Sequence, residues 1–152
     1  MTIKLNTNVK ITVRDIRGEI IDVVEFHNLI TTVGLNMFRD LLEGLILDGE
    51  IKELAVGSDN TAPAITDTKL GTETFRKTIT AFSEPADGEL KTTVYIAPPE
   101  AVGLIEEVGW FAGVGAGAGA DSGILVSRVL YSRNKTALES IEIVREDRIT
   151  EA

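Results

Sequence analysis

Apolar and polar residues alternate strictly from Asn8 to Arg14, with Val9, Ile11 and Val13 on one side and Lys10, Thr12 and Arg14 on the other. A period of two is the signature of a half-buried strand. Asp15-Ile16-Arg17-Gly18-Glu19 supplies a turn, and Ile20 to Phe26 returns as a second strand. That strand carries apolar residues on both faces, Ile20, Val24 and Phe26 against Ile21 and Val23. It is therefore expected to be central in its sheet or covered by another subunit. Residues 1–26 read as an N-terminal hairpin that contributes to subunit contacts.

The period then changes. Val33, Met37, Leu41 and Leu45 recur at every fourth position, with Phe38 and Leu42 beside them, which predicts one amphipathic helix. Thr31 or Thr32 can cap its start, and Gly44 or Gly49 can end it. Ile51 to Val56 is a short strand, followed by a polar loop from Gly57 to about Lys69 and a turn of helix expected near Leu70 to Phe75. Thr78 to Glu84 and Glu89 to Ile96 form a hairpin around Pro85-Ala86-Asp87-Gly88. Leu104 to Ala112, Ile124 to Tyr131 and Glu139 to Ile149 are three more strands. About eight strands, short turns and one short α-helix predict a mainly β chain, an antiparallel β-sandwich or barrel-like domain.

Composition narrows the classes of function. A chain of 152 residues is read as one domain, with core enough to need neither metal nor disulfide. There is no Cys, which rules out a thiolate metal site. No apolar run long enough for a signal peptide or a membrane span occurs. Net charge is −9, from 24 acidic against 15 basic residues, so phosphate backbones are expected to repel the chain. Neither nucleic acid nor membrane is expected as a partner.

Candidate chemistry is sparse. The Gly113–Gly123 stretch, GVGAGAGADSG, formally fits a loose dinucleotide-binding pattern. That pattern works only where a helix follows, and ILVSRVLY reads as a strand instead. The alternative is a loose hairpin loop, mobile at its tip or ordered by a neighbouring subunit, with Gly115 and Gly117 as interface candidates. Closing eleven residues rather than four costs about 1 kcal/mol. His27, the single histidine, ends a strand with no nucleophile motif around it. Glu106 and Glu107 point to opposite faces of a strand and cannot share a substrate. Asp59, Asp67 and Glu73 lack EF-hand spacing and are assigned to turn bonds and caps, with incidental Ca²⁺ or Mg²⁺ as the alternative. The tail Arg145-Glu146-Asp147-Arg148 is read as solvated. Trp110 and Phe111 are adjacent in a strand, so one is expected in the core and the other outward as an interface anchor. No catalytic, cofactor or metal residues are assigned.

Asn-Leu-Ile-Thr-Thr-x-Gly at Asn28–Gly34 opens a series of short motifs. Leu-Ala-Val-Gly-Ser follows at Leu54–Ser58, Thr-Ala-Pro at Thr61–Pro63 and Asp-Thr-x-Leu at Asp67–Leu70, with Glu73 and Arg76 behind. Then come Glu-x-Gly-x-Phe at Glu107–Phe111, the Gly-rich loop, Ser127-Arg128 and Lys135-Thr136. In this order, over residues 20 to 145, the chain resembles a family of small bacteriophage virion structural proteins, tail-fibre-like or capsid-decoration-like. The resemblance implies a non-enzymatic building block that assembles on a phage particle as a homo-oligomer, most plausibly a homotrimer, alongside other virion proteins. It implies assembly in the host cytoplasm and a final place in the virion. A tail, baseplate or short-fibre component is the first expectation, and a head-stabilising cement protein the second. A carbohydrate-binding β-sandwich, expected to show two or more exposed aromatics, is the third. The interface candidates are Trp110, Phe111, Ile21, Val23, Gly115 and Gly117.

Overall fold

The computed structural model describes all 152 residues. Nine strands and one helix follow in the order β1 (Ile3–Asp15), β2 (Ile20–His27), α1 (Thr32–Glu43), β3 (Ile51–Gly57), β4 (Glu73–Thr78), β5 (Ala81–Ser83), β6 (Glu89–Ile96), β7 (Gly103–Ala112), β8 (Ile124–Lys135) and β9 (Glu139–Glu151). All pairings are antiparallel, and they make two sheets ordered β2-β1-β9-β6-β5 and β4-β3-β7-β8. This is the mainly β, antiparallel class expected. Each sheet is open, with two edge strands, so neither closes into a barrel.

The chain divides into two compact units. One holds the five-stranded sheet and is drawn from Met1–Asn28, Ile79–Val102 and Thr136–Ala152. Its central strand β9 pairs with β1 along the whole of Ile3–Asp15 and with β6 from Glu89 to Ile96. Inward residues alternate as the period predicts: Val9, Ile11 and Val13 on β1, Thr92, Val94 and Ile96 on β6, Ile141 and Ile143 on β9 are all buried. Gly88 takes φ +72° in the β5–β6 turn, the left-handed residue the Pro-Ala-Asp-Gly stretch asks for.

Three expectations are corrected in this unit. Of the two alternatives for strand β2, the central position is excluded, since β2 is the outer edge, beyond β1. The β5 arm of the hairpin is only three residues long. The charged tail is solvated only on one face, at Glu146 and Arg148: Arg145 is fully buried and grips Asp147 with two bonds, Nε to Oδ2 at 2.8 Å and Nη2 to Oδ1 at 3.0 Å. Thr7 Oγ1 also donates to Asp147 at 2.6 Å. A buried charge survives only when paired, and here an i,i+2 pair on one face of a strand supplies the partner.

The second unit holds the four-stranded sheet and α1, from Leu29–Thr78 and Gly103–Lys135. Thr31 caps the helix by accepting from Gly34 N at 3.0 Å, and Gly44 closes it with φ +77°. Met37 and Gly34 are buried, and a Cβ on Gly34 would meet Val126 O at 2.8 Å. Ile30 forms a lone bridge to Ser127, so Ile30, Thr31 and α1 cover the outer edge of β8. The turn of helix expected at Leu70–Phe75 is absent. Glu73–Thr78 is instead strand β4, laid against Glu53–Gly57, because the ladder to β3 outweighs a local helical preference.

Candidate interaction surfaces

One face of the β3–β7 pair carries Gly57, Ala55 and Gly109, residues too small to fill the space above them. The loop from Ser58 to Thr72 occupies that space. Leu70 drops onto Gly109, where a Cβ would stand 2.7 Å from Leu70 Cδ2, and joins Ala55, Phe111 and Leu125 in a buried cluster. Glu107, fully buried on the same face, holds the loop by its backbone: it accepts from Thr72 N at 2.8 Å, Gly71 N at 2.9 Å and Asp59 N at 3.3 Å. Arg128 balances it, with Nε donating to Glu107 Oε2 at 2.6 Å, and has Asp67 Oδ2 at 3.5 Å. Asp59 accepts from the Thr61 side chain and backbone, which holds its carboxyl below the ordinary carboxylate range. Asp67 accepts from Ala64 N at 2.9 Å and closes a turn, rather than capping a helix ahead of Leu70.

The Gly-rich loop is tied down in the same way, which corrects the expectation of a loose tip. Arg76 Nη1 donates to Ser122 O at 2.7 Å and to Gly117 O at 3.1 Å, and Ser122 Oγ accepts from Gly117 N. Glu73 pairs with Arg76 at 2.7 Å and also accepts from Asp121 N at 3.2 Å. Both side chains of the pair are buried. Asp59, Asp67 and Glu73 therefore do not converge: the first two border Arg128 and the third serves Arg76.

Trp110 and Phe111 do point to opposite faces of β7, but both are fully buried. The expectation of one outward aromatic anchor is thus overturned. Phe111 is covered by Leu70 and by Arg76, features of the loop and of β4 that strand alternation alone does not reveal. Ile21 and Val23 are exposed on β2, Gly115 is exposed and Gly117 half-buried in the Gly-rich loop, and His27 is exposed at the end of β2. Glu106 and Glu107 point apart as expected, and only Glu107 is buried.

What the sequence reading missed is an apolar end on the second unit. Leu42 is 90% exposed, Leu45 69%, Leu47 94% and Val114 88%. A shallow groove runs between Ile46, Leu47, Val114, Gly115 and Ile124, bringing the α1–β3 connection beside the Gly-rich loop, with Gly113 N bonded to Glu50 O at 3.0 Å. Asp48 at its rim is held below the usual carboxylate range by the Lys52 side chain and then by Glu50 N. The signal was present: Leu45, Ile46 and Leu47 follow the Gly44 cap, where a polar linker is usual. Comparison of the chain with protein-family models, curated proteins and solved structures finds no match.

Proposed function

We propose that this protein is a non-enzymatic building block of a bacteriophage particle, assembling with copies of itself and with other virion proteins in a tail, baseplate, short fibre or surface layer. The ordered motifs from Asn28 to Thr136 supply the phage reading. The single observation that carries the assembly reading is the exposed apolar groove in which Leu47 and Val114 meet beside Ile46 and Ile124. Side chains of this size leave water only when something packs on them, and contiguous exposed groups of this kind mark contact sites. Repetition on a symmetric particle lets modest contacts hold through avidity.

The acidic and basic residues support this reading through their use. Glu107, Arg128, Glu73, Arg76, Arg145 and Asp147 are engaged in buried pairs that fix loops and strands. A saccharide platform is not favoured, since Phe82 lies opposite Thr92 on one sheet face and Tyr95 lies on the other. Quantitative mass spectrometry of purified particles tests the proposal. A fixed copy number per particle is expected, of the order set by a tail ring or by the head lattice, which separates the tail from the cement location. A protein absent from particles, and unable to bind them when added back, would overturn it.

A further inference from the structure

Four strands form sheet edges, and three of them are blunted. β5 has three residues, β4 has six and carries Lys77, and β8 is covered by Ile30 and the helix. β2 is eight residues long and has neither Pro nor Lys, with Ile20, Ile21 and Val23 exposed. An uncovered edge of that kind is a template for another strand.

Its hydrogen-bonding phase can be read from the ladder. Asn28 N donates to Thr7 O at 3.0 Å, directly across the register in which Asn8 faces His27. Directly bonded pairs alternate with unbonded ones in an antiparallel ladder. Phe26, Val24 and Asp22 therefore turn their backbone groups in, toward Val9, Ile11 and Val13. His27, Glu25 and Val23 turn theirs out, where no strand of the sheet lies. The register shift between Val13 and Arg14 makes Ile21 a bulge, so Ile20 and Ile21 are both exposed.

We propose that the occupant of this edge is β2 of a second copy, paired antiparallel about a two-fold axis at Val23. In that register Val23 faces its own symmetry mate, exchanging two backbone bonds. Ile20 faces Phe26, and Glu19 is brought toward His27. The neighbouring register centred on Glu25 sets two carboxylates face to face and is rejected by like-charge repulsion. The charge pattern thus disfavours that alternative, and a strand read against itself about Val23 makes an isologous contact. The inference rests on the self-assembly part of the proposed function, and it replaces the expected three-fold contact at this strand with a two-fold one.

Sedimentation equilibrium of the full chain over a micromolar concentration series tests it, with Val23→Pro and Val23→Lys as variants. Val23 N–H points away from β1, so proline there removes an intermolecular donor while leaving the β1–β2 ladder intact. Lysine places two ammonium groups across the axis. The wild type is expected to form dimers, and each variant to weaken dimerisation by roughly tenfold or more, with circular dichroism unchanged. A wild type that stays monomeric or forms trimers overturns the proposal, as does a dimer unaffected in whichever variant keeps the native spectrum. Binding to phage particles is scored in parallel. A wild-type dimer that never binds particles sinks the virion role and leaves the edge contact standing.

Discussion

The guanidinium carbon of Arg76 stands 4.1 Å from the ring centre of Phe111. One side chain thus caps an aromatic, neutralises Glu73 and fastens the Gly-rich loop through Gly117 and Ser122. Truncating a member of a buried ion pair costs about 3–5 kcal/mol because the other charge is stranded. Arg76→Ala is expected to lose that much in urea denaturation and to speed amide exchange at Gly115–Gly119. Arg76→Lys restores the charge but not the forked geometry, so exchange in the loop should stay fast.

Glu107 plays the matching part for the Ser58–Thr72 loop. Glu107→Gln keeps the size and the acceptor oxygen but leaves Arg128 without its closest carboxylate. A loss of about 3–5 kcal/mol is expected by the same reasoning, with Gly71 and Thr72 amides losing protection. A variant as stable as the wild type would show that the loop is held by Leu70 alone.

Acid should loosen two loops before the sheets. Asp48 and Asp59 both sit below the ordinary value in the folded protein, the first through Lys52 and the second through Thr61. Carboxyls of this kind stabilise the native state above their unfolded value of 3.8, and the contribution is lost as pH falls through the depressed folded value. Between pH 5 and 3, protection factors at the Glu50 and Thr61 amides should fall ahead of global unfolding. Unchanged protection there at pH 3 would refute the assignment.

Leu47 contributes almost nothing to its own chain. Leu47→Ser is expected to move stability by no more than about 0.5 kcal/mol, as for other exposed positions. It should nevertheless reduce incorporation into particles and lower binding of a hydrophobic dye. Incorporation equal to the wild type for both Leu47→Ser and a Leu42→Ser, Leu47→Ser double variant would place the contact elsewhere.

Local periodicity carried much of this structure. The helix from Thr32 to Glu43, caps at one of two threonines and one of two glycines, and the alternation along β1 and β6 were legible, because each depends on neighbours within a few residues. Long-range relations were not. Arg145 and Asp147 look solvated until Thr7 closes over Asp147 from 140 residues away. Phe111 looks exposed until Leu70 and Arg76 cover it. Leu70–Phe75 passes for a helical turn until β3 is placed beside Glu73–Thr78. Leu45 belongs to the apolar period by spacing, yet lies past Gly44, where the chain has already left the helix axis.

The place of β9 between β1 and β6 has a consequence for biosynthesis. Until residues 139–151 leave the ribosome, the β1–β2 ribbon and the β5–β6 ribbon have no shared neighbour. Segments 29–78 and 103–135, by contrast, are already complete at that moment. The nascent polypeptide would therefore finish the helix-bearing half first and close its five-stranded half at the last step, so that premature termination after Lys135 releases two orphaned hairpins with sticky flanks.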